Sequence, residues 1–194
     1  MVESYAHIKY AKNVLSQKDF EELQEYIGDS VGDWPAYNFK PKNIPPRNKI
    51  EKAIVKLIGQ DNHVEYWMRN IEKNELTSWH VDANEIFLKN YCIEHDYKED
   101  PPEAPKEFPL NTHILFVLLP HNTYVPGRPI LDLSYKPLDL SRQLEIKPKE
   151  NNLVFFNKPI YHAINSNHSA GGALRSYRIS LMFSSWDYIP KPYD

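Results

Sequence analysis

Trp79-His80-Val81-Asp82 places an imidazole and a carboxylate two residues apart, at the end of a predicted strand over residues 76–82. In an extended strand, residues i and i+2 point to the same face. His80 and Asp82 would therefore project together into one pocket. Such a pair can hold a divalent metal ion. One further histidine would complete a two-histidine, one-carboxylate set, which is typical of non-haem Fe(II) sites with open coordination positions.

The sequence on both sides of this segment is typical of short β-strands. Residues 63–71 are rich in β-branched and aromatic side chains, and residues 111–119 form a nearly continuous apolar run. Further strands are predicted over residues 130–133, 143–146, 153–157, 160–164 and 175–184. Because helices do not alternate with these segments, they predict an antiparallel barrel or sandwich.

Two amphipathic helices are predicted before the strands. Ser16 is followed three residues later by an acidic residue, which resembles a helix-capping pattern, and Gly28 is a suitable end for that helix. The second helix covers residues 48–58 and ends at Gly59. Apolar residues recur with helical spacing in both, so both are predicted to pack on the outside of a sheet.

Residues 84–109 interrupt the strand pattern, because this segment is charged and has four prolines towards its end. Long irregular segments inside compact domains are usually functional or mobile. We therefore predict an irregular insertion beside the pocket and a candidate lid. The 194 residues are predicted to form a single domain, with helical support over residues 1–62 and a β-core over residues 63–186.

Composition excludes several classes of function. The net charge is −3 and no basic stripe is present, so nucleic-acid binding is not expected. A single cysteine, Cys92, excludes a disulfide framework and favours a reducing cytoplasmic location. Residues 1–13 contain no apolar run typical of a signal peptide, and the longest aliphatic run, residues 114–119, is too short to span a membrane.

Three downstream segments complete a recognisable order of motifs. A turn and strand cover residues 148–157, Tyr161-His162 follows at once, and Arg175-Ser-Tyr-Arg178-Ile-Ser180 begins the last long strand. Together with His80-Val81-Asp82, they resemble the Fe(II)- and 2-oxoglutarate-dependent dioxygenases of the prolyl-hydroxylase-like type, from residue 66 onwards. The resemblance implies a mostly β fold with a double-stranded β-helix core, also described as jelly-roll or cupin-like, and the two helices packed outside it.

The resemblance also implies the site residues. His80, Asp82 and His162 would be the iron ligands and hence the catalytic set. The presence of Asp82 argues against a halogenase, which would need that ligand position for a halide ion. Zn(II) binds the same ligands, so a metal found in a purified sample need not be the working one.

A basic residue is implied for the distal carboxylate of 2-oxoglutarate, since a guanidinium can bind a carboxylate through two hydrogen bonds. Arg178-Ile-Ser180 matches the Arg-x-Ser pattern, and Arg178 and Ser180 share one face of a strand. Arg175 competes for this role but has the opposite parity. Tyr66 or Trp67, on the strand before the His-x-Asp pair, is expected to line the co-substrate pocket.

The resemblance implies an oxygenase that consumes O2 and 2-oxoglutarate and hydroxylates a C–H bond of a peptide side chain or small metabolite, with demethylation as an alternative outcome. The primary substrate stays open. One alternative is a cupin-like module that binds a metal or ligand without catalysis, and it would not need Arg178 in the pocket. Another is a structural β-sandwich or interaction domain, in which the three metal-binding side chains would not converge.

Overall fold

The computed structural model describes residues 2–5, 7–28, 38–72, 80–98, 105–119, 129–134, 144–146, 148–166 and 177–190. Three helices and ten strands lie in these ranges. The helices are α1 (Gln17–Gly28), α2 (Lys49–Ile58) and α3 (Glu85–Glu94). The strands are β1 (Val2–Tyr5), β2 (Ile8–Ala11), β3 (Asn38–Lys40), β4 (His63–Glu72), β5 (Asn111–Leu118), β6 (Pro129–Ser134), β7 (Leu144–Ile146), β8 (Leu153–Phe156), β9 (Tyr161–Ser166) and β10 (Tyr177–Trp186).

The described strands form two antiparallel sheets. The larger sheet has the order β1-β2-β8-β5-β10-β4-β3, and the smaller has the order β7-β6-β9. From β5 onwards the chain alternates between them: β6 and β7 lie in the smaller sheet, β8 in the larger, β9 in the smaller and β10 in the larger. This alternation is that of a double-stranded β-helix, and it confirms the predicted fold.

The first two helices cover the outer face of the larger sheet, as predicted. The hydroxyl of Ser16 accepts a hydrogen bond from the backbone N of Asp19 at 3.2 Å, and this caps α1. The side chain of Asn48 caps α2 in the same way. Apolar residues of both helices pack against the odd-numbered positions of β5 and β10, in a cluster that includes Phe20, Leu23, Ile27, Ile50, Ile54, Leu115, Leu181 and Phe183.

A second apolar cluster lies on the inner face of the larger sheet. It combines residues of β5, β8 and β10 with Ile146 of the smaller sheet and includes Ile114, Phe116, Val154, Phe156, Ile160 and Met182. Strand β5 is buried on both faces, since Thr112 to Leu118 are all buried. This double burial is the physical reason for the continuous apolar run in its sequence.

A buried carboxylate attaches α2 to β4. Glu51 is fully buried and accepts hydrogen bonds from the backbone N of Arg47 at 2.7 Å, from Nε of Arg47 at 2.9 Å and from the hydroxyl of Tyr66 at 3.0 Å. Burial alone would raise the pKa of Glu51, but the hydrogen bonds from Arg47 and Tyr66 outweigh it and hold the pKa below its usual value.

The predicted irregular insertion over residues 84–109 is wrong in its first half, because residues 85–94 form α3. The side chain of Asn84 accepts a hydrogen bond from the backbone N of Phe87 at 3.0 Å and caps this helix. The apolar residues of α3 do not repeat along one face of the helix, so its sequence lacks the stripe that marks α1 and α2, and only Cys92 is buried. The candidate lid stays a prediction, since residues 99–104 lie outside the described residues.

No helix within the described ranges could cross a membrane.

Candidate metal centre

His80 and His162 are held side by side by their backbones. The N–H of His80 donates to the carbonyl oxygen of His162 at 3.0 Å, and the N–H of His162 donates to the carbonyl oxygen of His80 at 2.9 Å. This isolated antiparallel bridge lies on the side of β9 opposite to its partner β6. The two imidazole ring centroids are 4.3 Å apart. A single pair of reciprocal hydrogen bonds therefore brings together histidines from distant parts of the sequence.

Asp82 completes the cluster. Its Oδ1 lies 3.9 Å from Nε2 of His80 and 3.7 Å from Nε2 of His162. One ligand atom from each of the three residues can be chosen so that all lie within 4.8 Å of one another. Residues 81–84 are not in a strand, and residues 73–79 lie outside the described residues. His80 and Asp82 converge as predicted, but the described structure places Asp82 in a loop rather than on a continuing strand.

The tautomer of His162 follows from its surroundings. Its Nδ1 lies 3.0 Å from the carbonyl oxygen of Ile160, and a carbonyl can only accept, so Nδ1 carries the proton. The lone pair is then on Nε2, the atom that faces Asp82. Burial lowers the pKa of His162, although the nearby charge of Asp82 acts in the opposite direction. A neutral imidazole with a fixed tautomer is the form that binds metal ions.

Two atoms of the cluster lack the partners that burial normally demands. Oδ2 of Asp82 and Nε2 of His162 are buried and make no hydrogen bond within the described structure. An unsatisfied buried polar atom costs about 1–3 kcal/mol, and more when it is charged. A bound cation would satisfy both atoms. Two imidazole nitrogens and one carboxylate suit Fe(II) and also bind other first-row divalent ions, so the donor set fits the predicted metal.

The proposed co-substrate residues lie on β10. Ser180 is buried on the face shared with Met182, and its Oγ also has no hydrogen-bond partner among the described residues. Arg178 pairs with Ile71 of β4 through the backbone register, two positions before Ser180. The side chain of Arg178 and the whole of Arg175 lie outside the described residues. Their roles in binding 2-oxoglutarate therefore stay predictions.

The structure does not place Tyr66 beside the metal centre. Tyr66 faces the helices, in the same apolar cluster as Val64 and Phe183, and its hydroxyl is hydrogen-bonded to Glu51 and Asn48. Trp67, the alternative on the same strand, packs against the inner cluster instead. The expectation that Tyr66 lines the co-substrate pocket is therefore wrong, because strand alternation directs it to the opposite face of the sheet.

Sequence reasoning did not identify the residues that hold the loop of Asp82. Asn84 donates from its backbone N to the carbonyl oxygen of Glu107 at 2.9 Å and from Nδ2 to the Glu107 carboxylate at 3.1 Å. The hydroxyl of Tyr188 donates to the same carboxylate oxygen at 2.8 Å. An asparagine before a helix is a readable capping signal, whereas nothing in the sequence around Glu107 marks its contact with Asn84.

Comparison with known proteins agrees with the architecture. No family model and no curated protein sequence matches the chain. Among solved structures, a prolyl-4-hydroxylase from Pseudomonas putida superposes with a TM-score of 0.52 at 11% identity, covering 95% of each chain. The viral collagen prolyl hydroxylase of Paramecium Bursaria Chlorella virus-1 superposes in a truncated form with a TM-score of 0.51 at 14% identity, covering 94% of this chain and 90% of that one.

The chain has the prolyl-hydroxylase fold. The match extends over nearly the whole of both chains, so it includes the outer helices as well as the two sheets. At this level of identity the similarity concerns the fold alone. Within the prolyl-hydroxylase fold of this chain, the three potential ligands lie where the smaller sheet meets the loop before α3.

Proposed function

We propose that this protein is an Fe(II)- and 2-oxoglutarate-dependent oxygenase. The observation that supports the proposal most directly is the convergence of His80, Asp82 and His162, two of which present a buried ligand atom without another partner. The prolyl-hydroxylase fold supports it independently. His80, Asp82 and His162 would hold the ion. When bound, iron together with 2-oxoglutarate and O2 supplies the oxidising chemistry for a C–H bond.

In this proposal the chain itself holds, orients and shields the reactants. Asp82 contributes the only negative charge of the ligand set, and the tautomer of His162 is fixed by Ile160. The inner cluster, with Phe156 against the ring of His162 at 5.4 Å, keeps one side of the centre dry. Arg178 is proposed to bind the distal carboxylate of 2-oxoglutarate, with Ser180 as a second hydrogen-bonding group on the same strand face.

The reaction that we propose is hydroxylation of a peptide side chain, such as that of proline, or of a small metabolite. The two prolyl hydroxylases of the same fold favour the peptide side chain. The retained carboxylate of Asp82 favours hydroxylation over halogenation.

An anaerobic titration tests the proposal. Protein freed of metal by chelation is titrated first with Fe(II) and then with 2-oxoglutarate, and the visible absorption spectrum is recorded. We expect one iron per chain and a weak charge-transfer band that needs both additions. Iron binding without the band would contradict the oxygenase and support the cupin-like, non-enzymatic module. Failure to bind iron or any other divalent ion would contradict both and support a structural domain.

Replacing Arg178 by glutamine should weaken binding of 2-oxoglutarate to the Fe(II)-loaded protein by about 10- to 100-fold, because a charge-assisted hydrogen bond contributes about 1.5–3 kcal/mol. Affinity for Fe(II) alone should be unchanged. The matched control is Arg175→Gln, which removes an arginine of the same segment and should change 2-oxoglutarate affinity by less than about threefold. A larger loss in Arg175→Gln than in Arg178→Gln would reverse the two assignments.

A further inference from the structure

The loop that carries Asp82 is held at both of its ends. At its start, His80 is fixed by the two backbone hydrogen bonds to His162. At its end, Asn84 is fixed by two hydrogen bonds to Glu107, one to the carbonyl oxygen and one to the carboxylate. Asp82 lies midway between these points and has no regular secondary structure of its own.

Glu107 is in turn attached to the end of the last strand. Its Oε2 accepts hydrogen bonds from Nδ2 of Asn84 at 3.1 Å and from the hydroxyl of Tyr188 at 2.8 Å. The ring of Tyr188 packs edge-on against Trp186, with centroids 5.5 Å apart. Nearby, the backbone N of Leu110 donates to the carbonyl oxygen of Ser185 at 2.8 Å. The segment before β5 is thereby fastened to the end of β10.

The hydroxyl of Tyr188 stays protonated and can therefore donate a hydrogen bond at physiological pH. Burial, and then the hydrogen bond to Glu107, raise the pKa of Tyr188 to about 12. The phenol therefore keeps its proton across the physiological range and can donate to the carboxylate throughout it.

The packing of helix α3 is the other contact that could hold the end of the Asp82 loop. Among its residues only Cys92 is buried, and its last turn contains the exposed Ile93. Since most of its apolar residues are only partly buried, packing holds the N-terminus of α3 less firmly than it holds that of a helix with a fully buried stripe. Without the carboxylate of Glu107, Asn84 would lose its side-chain hydrogen bond to residue 107 and Tyr188 would lose its acceptor. Asn84 would keep its backbone hydrogen bond to the carbonyl oxygen of residue 107 and its capping bond to Phe87.

We infer that Glu107 is a positioning residue of the metal centre. The inference rests on the proposed metal site: Glu107 holds Asn84, Asn84 holds the end of the loop, and the loop directs the carboxylate of Asp82 towards His80 and His162. Tyr188 supports Glu107 from β10. Removal of a group that orients a metal ligand typically weakens metal binding by about 10- to 100-fold.

The test uses Co(II) as a spectroscopic probe of the metal-free 194-residue chain. In Glu107→Ala we expect the dissociation constant for Co(II) to rise by about 10- to 100-fold and the visible Co(II) spectrum to change. In Glu107→Gln, which keeps one acceptor oxygen, the effect should be intermediate. The matched control is Glu94→Ala, which removes an exposed carboxylate of α3 and should leave both readouts as in the wild type.

A second control separates positioning from general loss of stability. Glu51→Gln removes a buried charge on the helix-covered face of the sheet and should lower the thermal midpoint while preserving the Co(II) affinity. If Glu107→Ala bound Co(II) within about twofold of the wild type, or if Glu51→Gln weakened Co(II) binding as much, the positioning role would be wrong. If the wild type itself bound no Co(II), the proposed metal centre would be wrong, and this result differs from one in which only the role of Glu107 is wrong.

Discussion

Replacing His162 by alanine should abolish stoichiometric Fe(II) binding and, with it, all turnover of 2-oxoglutarate. His162 is buried, its tautomer is fixed by Ile160, and its free Nε2 faces Asp82 at 3.7 Å. Loss of a group that merely orients a ligand costs about 10- to 100-fold in metal affinity, so loss of the ligand itself should cost more than about 100-fold. Equilibrium dialysis followed by metal analysis measures the affinity, and succinate formation measures the turnover.

A test of folding and two further variants separate loss of the metal ligand from other causes. His162→Ala leaves a space beside Phe156, so near-ultraviolet circular dichroism should establish that the variant is folded. Asp82→Asn keeps the size of its side chain and removes only the charge, and it should also weaken Fe(II) binding strongly. The control is His95→Ala, which removes an exposed histidine at the C-cap of α3. Equal Fe(II) affinities of His162→Ala and the wild type would contradict the proposed metal centre.

The second large effect concerns stability rather than the metal. His113 is buried in the larger sheet, stacked on Phe183 at 4.5 Å and tilted against Phe155 at 4.9 Å. Burial lowers the pKa of His113 from 6.5 to about 4, although the hydrogen bond with the carbonyl oxygen of Phe183 acts in the opposite direction. The folded protein therefore keeps His113 neutral at pH values where the unfolded chain has already taken up a proton.

The sign of the pH dependence follows from this difference. Between pH 6.5 and about 4 the unfolded state binds one more proton at His113 than the folded state, so stability falls as the pH falls. The loss over that window is about 3 kcal/mol. In His113→Phe, which keeps aromatic packing but cannot titrate, the free energy of unfolding should fall by about 3 kcal/mol less over the same window.

Urea unfolding at several pH values measures this difference. Because other groups also titrate in acid, the quantity to compare is the change in unfolding free energy with pH in each protein, not its value at one pH. His113→Gln, which is polar and also non-titrating, should show the same shallower dependence and protects the test if the phenylalanine variant packs poorly. Parallel curves for the wild type and both variants would contradict the assignment.

Local sequence signals determined the first two helices and the general fold class. Ser16 and Asn48 cap α1 and α2 through contacts within three residues, so the boundaries of both helices could be predicted from the sequence. The continuous apolar run of β5 predicted a buried central strand, and the strand is buried on both faces. The His80-x-Asp82 pair and His162 also stood out in the sequence, because few residue types bind metals and the order of the motifs resembled a known family.

Only the tertiary structure decided which face of the larger sheet each side chain of β4 lies on. Alternation along β4 predicts that Tyr66 and Trp67 face opposite sides of the sheet. Both sides are covered, since Tyr66 is buried and Trp67 is half-buried. Two aromatic residues that both contact apolar surroundings give no sign in the sequence of which one faces the helices. Helix α3 was missed for a related reason. Its apolar residues are spread around the helix rather than along one face, and only Cys92 is buried.

By itself, the sequence determined α1, α2, the doubly buried strand β5 and the side chains that could bind a metal, because capping, alternation and apolar periodicity act over a few neighbouring residues. Only the tertiary structure decided how those side chains meet. The bridge between His80 and His162 and the hydrogen bonds of Glu107 to Asn84 and Tyr188 join segments that are far apart in the chain. Such contacts depend on how the sheets and loops pack, and a single sequence carries no local signal for them.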